Sequence, residues 1–316
     1  MNDRVCRRCE WRRVVAPCGR RGQRAPCIAG ESAHDNDKDA DLMKTYVITG
    51  GTDGIGAAMA RTLFSRGDRT VIIGTNPKKG EPLVAEAASA PGSAAFIKAD
   101  LSLVSNTRRI VDMLAEEYPA IDGVVLCARF MRSYRSVTAE GFESNFALFY
   151  LSRLLLSYGL LGPLEQADRP VIVNVAGPGH DTTVAWDDLQ SIRHYDLVHA
   201  MFMTGRLNDL LGVTFAERHG RGPVRYVLFH PGTTATSYAG EFDSQTALYL
   251  QQQRMMAKPA TDVVPPLLRL LDDPPTPPLT AFNLFTELNV HTELFSAKDA
   301  ERLSGLTDEL LAKVAG

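Results

Sequence analysis

Short, continuous apolar runs alternate with stretches of helical spacing along most of this chain. The runs at 44–49, Arg69–Gly74, Ala94–Lys98, Gly123–Cys127, Val171–Val175, Val224–Phe229 and Thr280–Phe285 predict seven strands. Helical patterns fall between them at 54–67, Asn106–Glu117, Ala139–Tyr158, Val198–Arg218 and Thr261–Leu271. A strand that is apolar at every position is buried on both faces. The alternation therefore predicts an α/β fold, a single Rossmann-like doubly wound parallel sheet of about seven strands with helices on both faces. Crossovers in such a sheet are right-handed, and ligands gather at the C-terminal edge of the strands. The stretch Thr233–Lys258 follows the sixth strand without a clean period, which makes it the expected substrate lid. Pro274, Pro275, Pro277 and Pro278 break the chain before the last strand.

Residues 1–42 do not share this pattern. Four of the five cysteines (Cys6, Cys9, Cys18, Cys27) and a cluster of arginines fall within 1–27, and a polar, acid-rich piece follows. Four thiolates could hold zinc, but a segment with so few apolar residues has nothing to build a core around. It is expected to be a disordered extension or a mis-assigned start, with no metal site, ahead of a single dinucleotide-binding domain at 43–316. The basic stretch lacks the apolar region of a secretory signal. A net charge of −3 gives no electrostatic footprint for nucleic acid. No apolar run approaches the roughly 18 residues of a membrane span. The expectation is a cytoplasmic protein whose partner is a small-molecule substrate, with room for a homodimer.

The chemistry-bearing motif is Thr49-Gly50-Gly51-Thr52-Asp53-Gly54-Ile55-Gly56, set between the apolar run Tyr46-Val47-Ile48 and an amphipathic helical stretch. Glycines there let the backbone approach a pyrophosphate, and the helix start offers free N–H groups to an anion. At the end of the second strand stands Gly74-Thr75-Asn76-Pro77-Lys78-Lys79, without the acid that would bind a ribose 2′-hydroxyl. That absence favours NADP over NAD, with Thr75 and Asn76 able to donate to a 2′-phosphate.

These pieces, with Asp100-Leu101-Ser102, Gly141-Phe142-Glu143, Trp186-Asp187-Asp188-Leu189 and His230-Pro231-Gly232, resemble the short-chain dehydrogenase/reductase family. The likeness is to its retinol-dehydrogenase-like branch and covers about residues 44–312. It implies an NADP site built from Gly50, Thr52, Asp53, Gly54, Ile55, Gly56, Thr75, Asn76, Asp100, Leu101, Ala128, Pro231, Gly232 and Thr236. Asp100 would meet the adenine amino group, and the Pro231-Gly232 turn would close over the nicotinamide.

The resemblance also locates the family's catalytic Asn, Ser, Tyr and Lys, which fall here on Phe149, Gly177, Met201 and Gly205. No lysine stands between Lys98 and Lys258, so no shift of register restores the pair. Arg206 adjoins position 205 but points about 100° away around a helix. Candidate substitutes are Arg129, a cation at the edge of the fourth strand, and His180, a titratable donor just past Gly177. A protein without a positioned acid loses about 10²–10⁴ in rate on an ordinary ketone. The implied function is an atypical NADP-dependent oxidoreductase of a hydrophobic, activated small molecule, plausibly in secondary metabolism. The alternatives are a catalytically dead cofactor-binding sensor or partner protein, and a non-redox cyclase or isomerase. A chain begun at Met43 is expected to melt within a degree or two of the full chain; a drop of several degrees, or stoichiometric zinc in the full chain, contradicts the reading of 1–42.

Overall fold

The computed structural model describes residues 43–314, so the expected extension at 1–42 and its cysteines lie outside the described residues. Eight strands form one sheet: β1 (Thr45–Thr49), β2 (Arg69–Gly74), β3 (Ser93–Lys98), β4 (Gly123–Leu126), β5 (Val171–Val175), β6 (Arg225–His230), β7 (Leu279–Asn283) and β8 (Thr286–Leu288). Their spatial order is 8-7-6-5-4-1-2-3. Seven run parallel, in registers such as Val47↔Val71 and Val47↔Val124, whereas β8 returns antiparallel along β7. The sheet thus has one strand more than the apolar pattern predicts. Thr286–Leu288 is only three residues long and two of them are polar, so it carries no periodic signal.

Parity along each strand sorts the core into two layers. In β1, Val47 faces one side with Ile110, Leu114, Phe146, Leu207 and Leu303. Tyr46 and Ile48 face the other with Met59, Leu63, Leu83 and Leu267. The first layer is covered by α3 (Val104–Glu117), α4 (Ser144–Phe146 and Ser152–Gly159, joined by a π turn at Ala147–Leu151), α5 (Leu197–His219) and α8 (Ala297–Ala312). The second is covered by α1 (Gly54–Ser65), α2 (Pro77–Ala87) and α7 (Val264–Asp272). The chain leaves β1 toward β2 and β3 on one side and returns to β4 on the other. That reversal of direction opens a crevice at the C-terminal ends of β1 and β4, the place where such sheets bind ligands.

Two expected elements differ in extent. The helix expected from Ala139 begins only at Ser144, because Gly141 adopts φ +85° and the Glu143 carboxylate caps the start by accepting from the N–H groups of Asn145 and Phe146. The expected lid, in turn, contains a helix, α6 (Ser244–Met256), with no buried residue. It packs no apolar face against the core, which is why its sequence shows no period. Two short parallel pairings tether the lid, Met131–Arg132 with Gly240–Glu241 and Thr234–Ala235 with Lys258–Pro259.

Below the crevice, Arg206 turns into α5's buried side and pairs with Asp209 at 2.8 Å. The same Asp209 oxygen accepts from Gly179 N–H at 3.1 Å, which fixes the loop after β5 to the helix. Burial pushes the Asp209 carboxyl up, against the pull of Arg206. Asp209→Ala would leave a buried guanidinium unpaired. It is expected to destabilise the domain by about 3–5 kcal/mol, read as a lower denaturant midpoint with unchanged slope. A loss under about 1 kcal/mol, the range of exposed pairs, would show that the pair is not structural.

Candidate active site

The C-terminal ends of β1, β2, β4, β5 and β6 and the inner side of the lid enclose a cleft of about 1180 Å³. Gly50, Thr52, Asp53, Gly54, Ile55, Gly56, Thr75, Asn76, Asp100, Leu101, Ala128, Pro231, Gly232 and Thr236 all line it. Residues separated by up to 186 positions are thus brought to one surface, at the sheet edge the alternation predicts.

The glycine loop is shaped by close approach. A Cβ on Gly56 would stand 2.5 Å from the carbonyl oxygen of Gly50, and one on Gly54, at φ +49°, would stand 2.7 Å from the Thr236 methyl. The loop is a cradle that side chains would fill. Asp53 caps α1, accepting from Gly54 N–H at 2.7 Å, and its other oxygen meets Lys79. At the end of β2, Asn76 caps α2 through Oδ1 (3.0 Å from Lys78 N), which leaves its amide nitrogen to donate into the cleft. Of the two lysines there, only Lys79 lines the cleft. Asp53 brings a carboxylate to this end that the strand-end pattern did not reveal, and Lys79 neutralises it. Asp100 is held by Ser102, whose N–H and hydroxyl donate to its Oδ1 at 2.9 and 2.7 Å.

The other end of the cleft lies between β4, β5, β6 and α5. Met201 and Gly177 line it; Phe149 and Gly205 do not. Gly205 stands behind the strand end, where a Cβ would lie 3.9 Å from the Gly177 carbonyl. Phe149 sits in the π turn with two guanidinium groups near its ring, Arg153 at 4.0 Å and Arg129 at 5.1 Å. Asn208 Nδ2 donates to the Phe149 carbonyl, which lies within the π turn, at 2.8 Å. Arg153 is 2% exposed. It donates to Asn174 Oδ1, to Val175 O at 2.9 Å and to Ala128 O at 3.3 Å. Burial draws its pKa down to about 9. Arg129 reaches into the cleft and is solvent-exposed there.

The two expected substitutes separate. Arg129 is in the cleft. His180 is not among the lining residues: its ring stacks on Phe202 at 3.8 Å and its Nδ1 meets Thr182 Oγ1 at 2.8 Å. The histidine beside Gly177 is His230, whose Cδ2 and Nε2 would lie 3.3 and 3.8 Å from a Cβ there. Gly232 N–H donates to His230 Nδ1 at 2.9 Å, so the ring proton sits on Nε2 and faces Gly177.

A family model described as short chain dehydrogenase matches residues 44–185. Bovine retinol dehydrogenase 12 is 32% identical over 193 residues, 60% of this chain and 61% of the relative. DnrU of Streptomyces sp. strain C5, named as a candidate daunorubicin C-13 ketoreductase, is 31% identical over 196 residues, 61% of this chain and 67% of its own length. The chain belongs to the short-chain dehydrogenase family. It spans about three fifths of the length of the retinol dehydrogenase it matches. A short chain dehydrogenase from Shigella flexneri, solved with NADP, shares the fold at a TM-score of 0.58, with 17% identity over 78% of this chain and 99% of the other. Among the described residues no helix is long and apolar enough to cross a membrane.

Three residues at or behind this short-chain dehydrogenase's cleft were not found by pattern: His230 lines it, whereas Arg153 and Lys258 stand behind its wall. Arg153 lies one helical turn after Phe149, and that i,i+4 spacing would have placed a cation on the ring's face. Lys258 approaches Gly232 across the lid, its Nζ 3.1 Å from where a Gly232 Cβ would stand, and no local spacing announces a contact between residues so far apart. His230 was read only as part of a turn motif. Burial first, then the charge of Lys258, lowers the pKa of His230 below 6.5, so its ring is neutral at pH 7. A depressed folded pKa means that the ring's stabilising contact with Gly232 is complete above about pH 6.5 and is lost as the pH falls through the folded value. An NMR titration is expected to show His230 protonating below the range of a free imidazole; titration at or above it contradicts the assigned tautomer and contact.

Proposed function

We propose that the chain is an NADP-dependent oxidoreductase acting on a hydrophobic, activated small molecule in the cytoplasm. The observation that carries this reading is the convergence of the glycine cradle, the Thr75–Asn76–Lys79 corner, Asp100 and the Pro231-Gly232 turn on one cleft. The cradle fits a pyrophosphate, because its glycines keep backbone N–H groups open at the start of α1. Thr75, the Asn76 amide and Lys79 are the donors that would meet a 2′-phosphate, and Lys79 already offsets the Asp53 charge. The NADP bound by the Shigella relative, a protein of the same fold, supports this choice. When bound in reduced form, the nicotinamide supplies a hydride.

The rest follows from what this chain places around the reacting end. Leu148, Met201, Phe202 and Tyr238 form apolar walls that exclude water. At the position of the family's tyrosine stands Met201, which has no proton to give, and Gly205 brings no lysine. A simple ketone would meet a barrier higher by about 3–5 kcal/mol, the worth of a positioned acid. An acceptor activated by its own electronic structure would not, and orientation in the cleft supplies the acceleration. The resemblance to DnrU supports a place in secondary-metabolite formation.

Calorimetry with NADPH and NADH, followed by NADPH oxidation with 9,10-phenanthrenequinone and with cyclohexanone, tests this reading. NADPH is expected to bind about tenfold or more tightly than NADH, and the quinone to be reduced at least about 10²-fold faster than the ketone. Tighter NADH binding overturns the cofactor choice. NADPH binding without transfer to either acceptor favours a cofactor-binding protein without turnover, and ketone reduction at the quinone's rate overturns the argument from the missing acid.

A further inference from the structure

The geometry points to an oxyanion site at the Gly177–His230 end of the cleft. There Arg129 and His230 hold a delocalised oxyanion of the substrate, with Lys258 behind them at the Gly232 turn, so the acceptor is a conjugated carbonyl of quinone or quinone-methide type. The inference rests on the hydride-transfer reading above and narrows its substrate class.

The first argument is the sign of the charge. Arg129 and Lys258 act on His230 as positive neighbours, and the Arg153 guanidinium lies 4.0 Å from the Phe149 ring that Arg129 also approaches. Among the described residues no carboxylate forms an ion pair with Arg129, and the one group of opposite tendency near it is the Tyr238 phenol. The cleft's own carboxylates are engaged elsewhere. Asp53 is on Lys79, Asp100 in its turn with Ser102, Asp196 on the N–H of His199, and Asp243 on Thr246. Positive charge is therefore concentrated where no acid of the chain answers it.

The second argument is the form of the donors. His230 is neutral, with its one ring proton on the edge that faces Gly177. In that form it can hydrogen-bond an oxygen but does not readily give the proton up. Arg129 is a planar donor lying over an aromatic ring, a weakly hydrated cation suited to a delocalised anion. A set of donors without an acid stabilises charge that develops on oxygen and leaves it there.

Chemistry then selects the acceptor. In a quinone methide the hydride from the reduced nicotinamide forms a C–H bond at the exocyclic carbon as the donor's C–H bond breaks. The acceptor's π pair moves through the ring onto oxygen. The product is a phenolate, which takes its proton from water after release. A phenol has a pKa of about 10, so its anion persists beside the Arg129 guanidinium and the His230 ring N–H. The alkoxide from a simple ketone is about as basic as hydroxide, whose parent water has a pKa of about 15.7, and needs a proton at once. An iminium acceptor carries positive charge into a positive site and is disfavoured by the same groups.

The probe is 4-nitrophenol, whose anion absorbs in the visible, titrated in the NADP⁺ complex of the wild type and of Arg129→Met, with NADPH affinity measured alongside. The wild type is expected to bind the phenolate about tenfold or more tightly than the phenol, an apparent pKa lowered by one unit or more, and Arg129→Met to lose that preference. An equal affinity for the two forms in the wild type overturns the proposal, as does a preference that survives both Arg129→Met and His230→Phe. Faster reduction of a preformed iminium than of 9,10-phenanthrenequinone overturns it as well. Failure of the wild type to bind NADPH at all would instead remove the dinucleotide reading on which the inference stands.

Discussion

A buried guanidinium with only dipoles around it organises the centre of this molecule. Arg153 takes three oxygens, one each from Asn174, Val175 and Ala128, and rests its plane on the ring of Phe149. Its Nε finds no acceptor among the described residues, so the charge is incompletely solvated by protein and its pKa is depressed. Such a group is tolerated only where its partners are fixed. Asn174 is fixed in turn, because its amide donates to Asn208 Oδ1 and Tyr226 Oη, both at 2.9 Å. Asn208 then reaches back to the Phe149 carbonyl within the π turn. One polar circuit thus ties α4, β4, β5, β6 and α5 at the end of the sheet where the cleft opens.

The circuit extends to the dinucleotide cradle. Ala128 gives its carbonyl to Arg153 and its N–H to Thr49 Oγ1 at 3.2 Å, so its backbone is held from both sides. Gly50 abuts that backbone so closely that a Cβ would stand 2.8 Å from Ala128. The position of the first glycine of the loop therefore depends on a charge two strands away. At this end of the cleft two guanidinium groups, Arg129 and Arg153, approach the one ring of Phe149.

Much of this was legible in the chain. Seven apolar runs gave the strands because each is buried on both faces, and the glycine motif gave the cradle because turn, close approach and helix start are all local. Gly177 and Met201 reach the cleft because one follows a strand that ends there and the other lies on the helix beside it, whereas Gly205, one turn further on that helix, does not line it. What was not legible depends on tertiary approach. The edge strand Thr286–Leu288 is too short for a period, and α6 has no buried face to create one. His230 ends one strand at the cleft and His180 follows another, and the turn of the chain at Gly179, pinned by Asp209, sends His180 onto Phe202 instead. The contact of Lys258 with the Gly232 turn arises from a two-residue strand pairing across the lid, which no sequence window contains.

Gly54 answers to two neighbours at once. From below, its left-handed backbone turns the chain into α1; from above, the Thr236 methyl of the lid rests on the space its missing side chain leaves. Any substitution there strains the turn and props the lid open together. Weakened ligand binding in such a variant would not measure a phosphate contact, because two mechanical faults would share one readout. The lid and the cradle are in this sense a single hinge-and-seat joint, and the seat is one hydrogen atom wide.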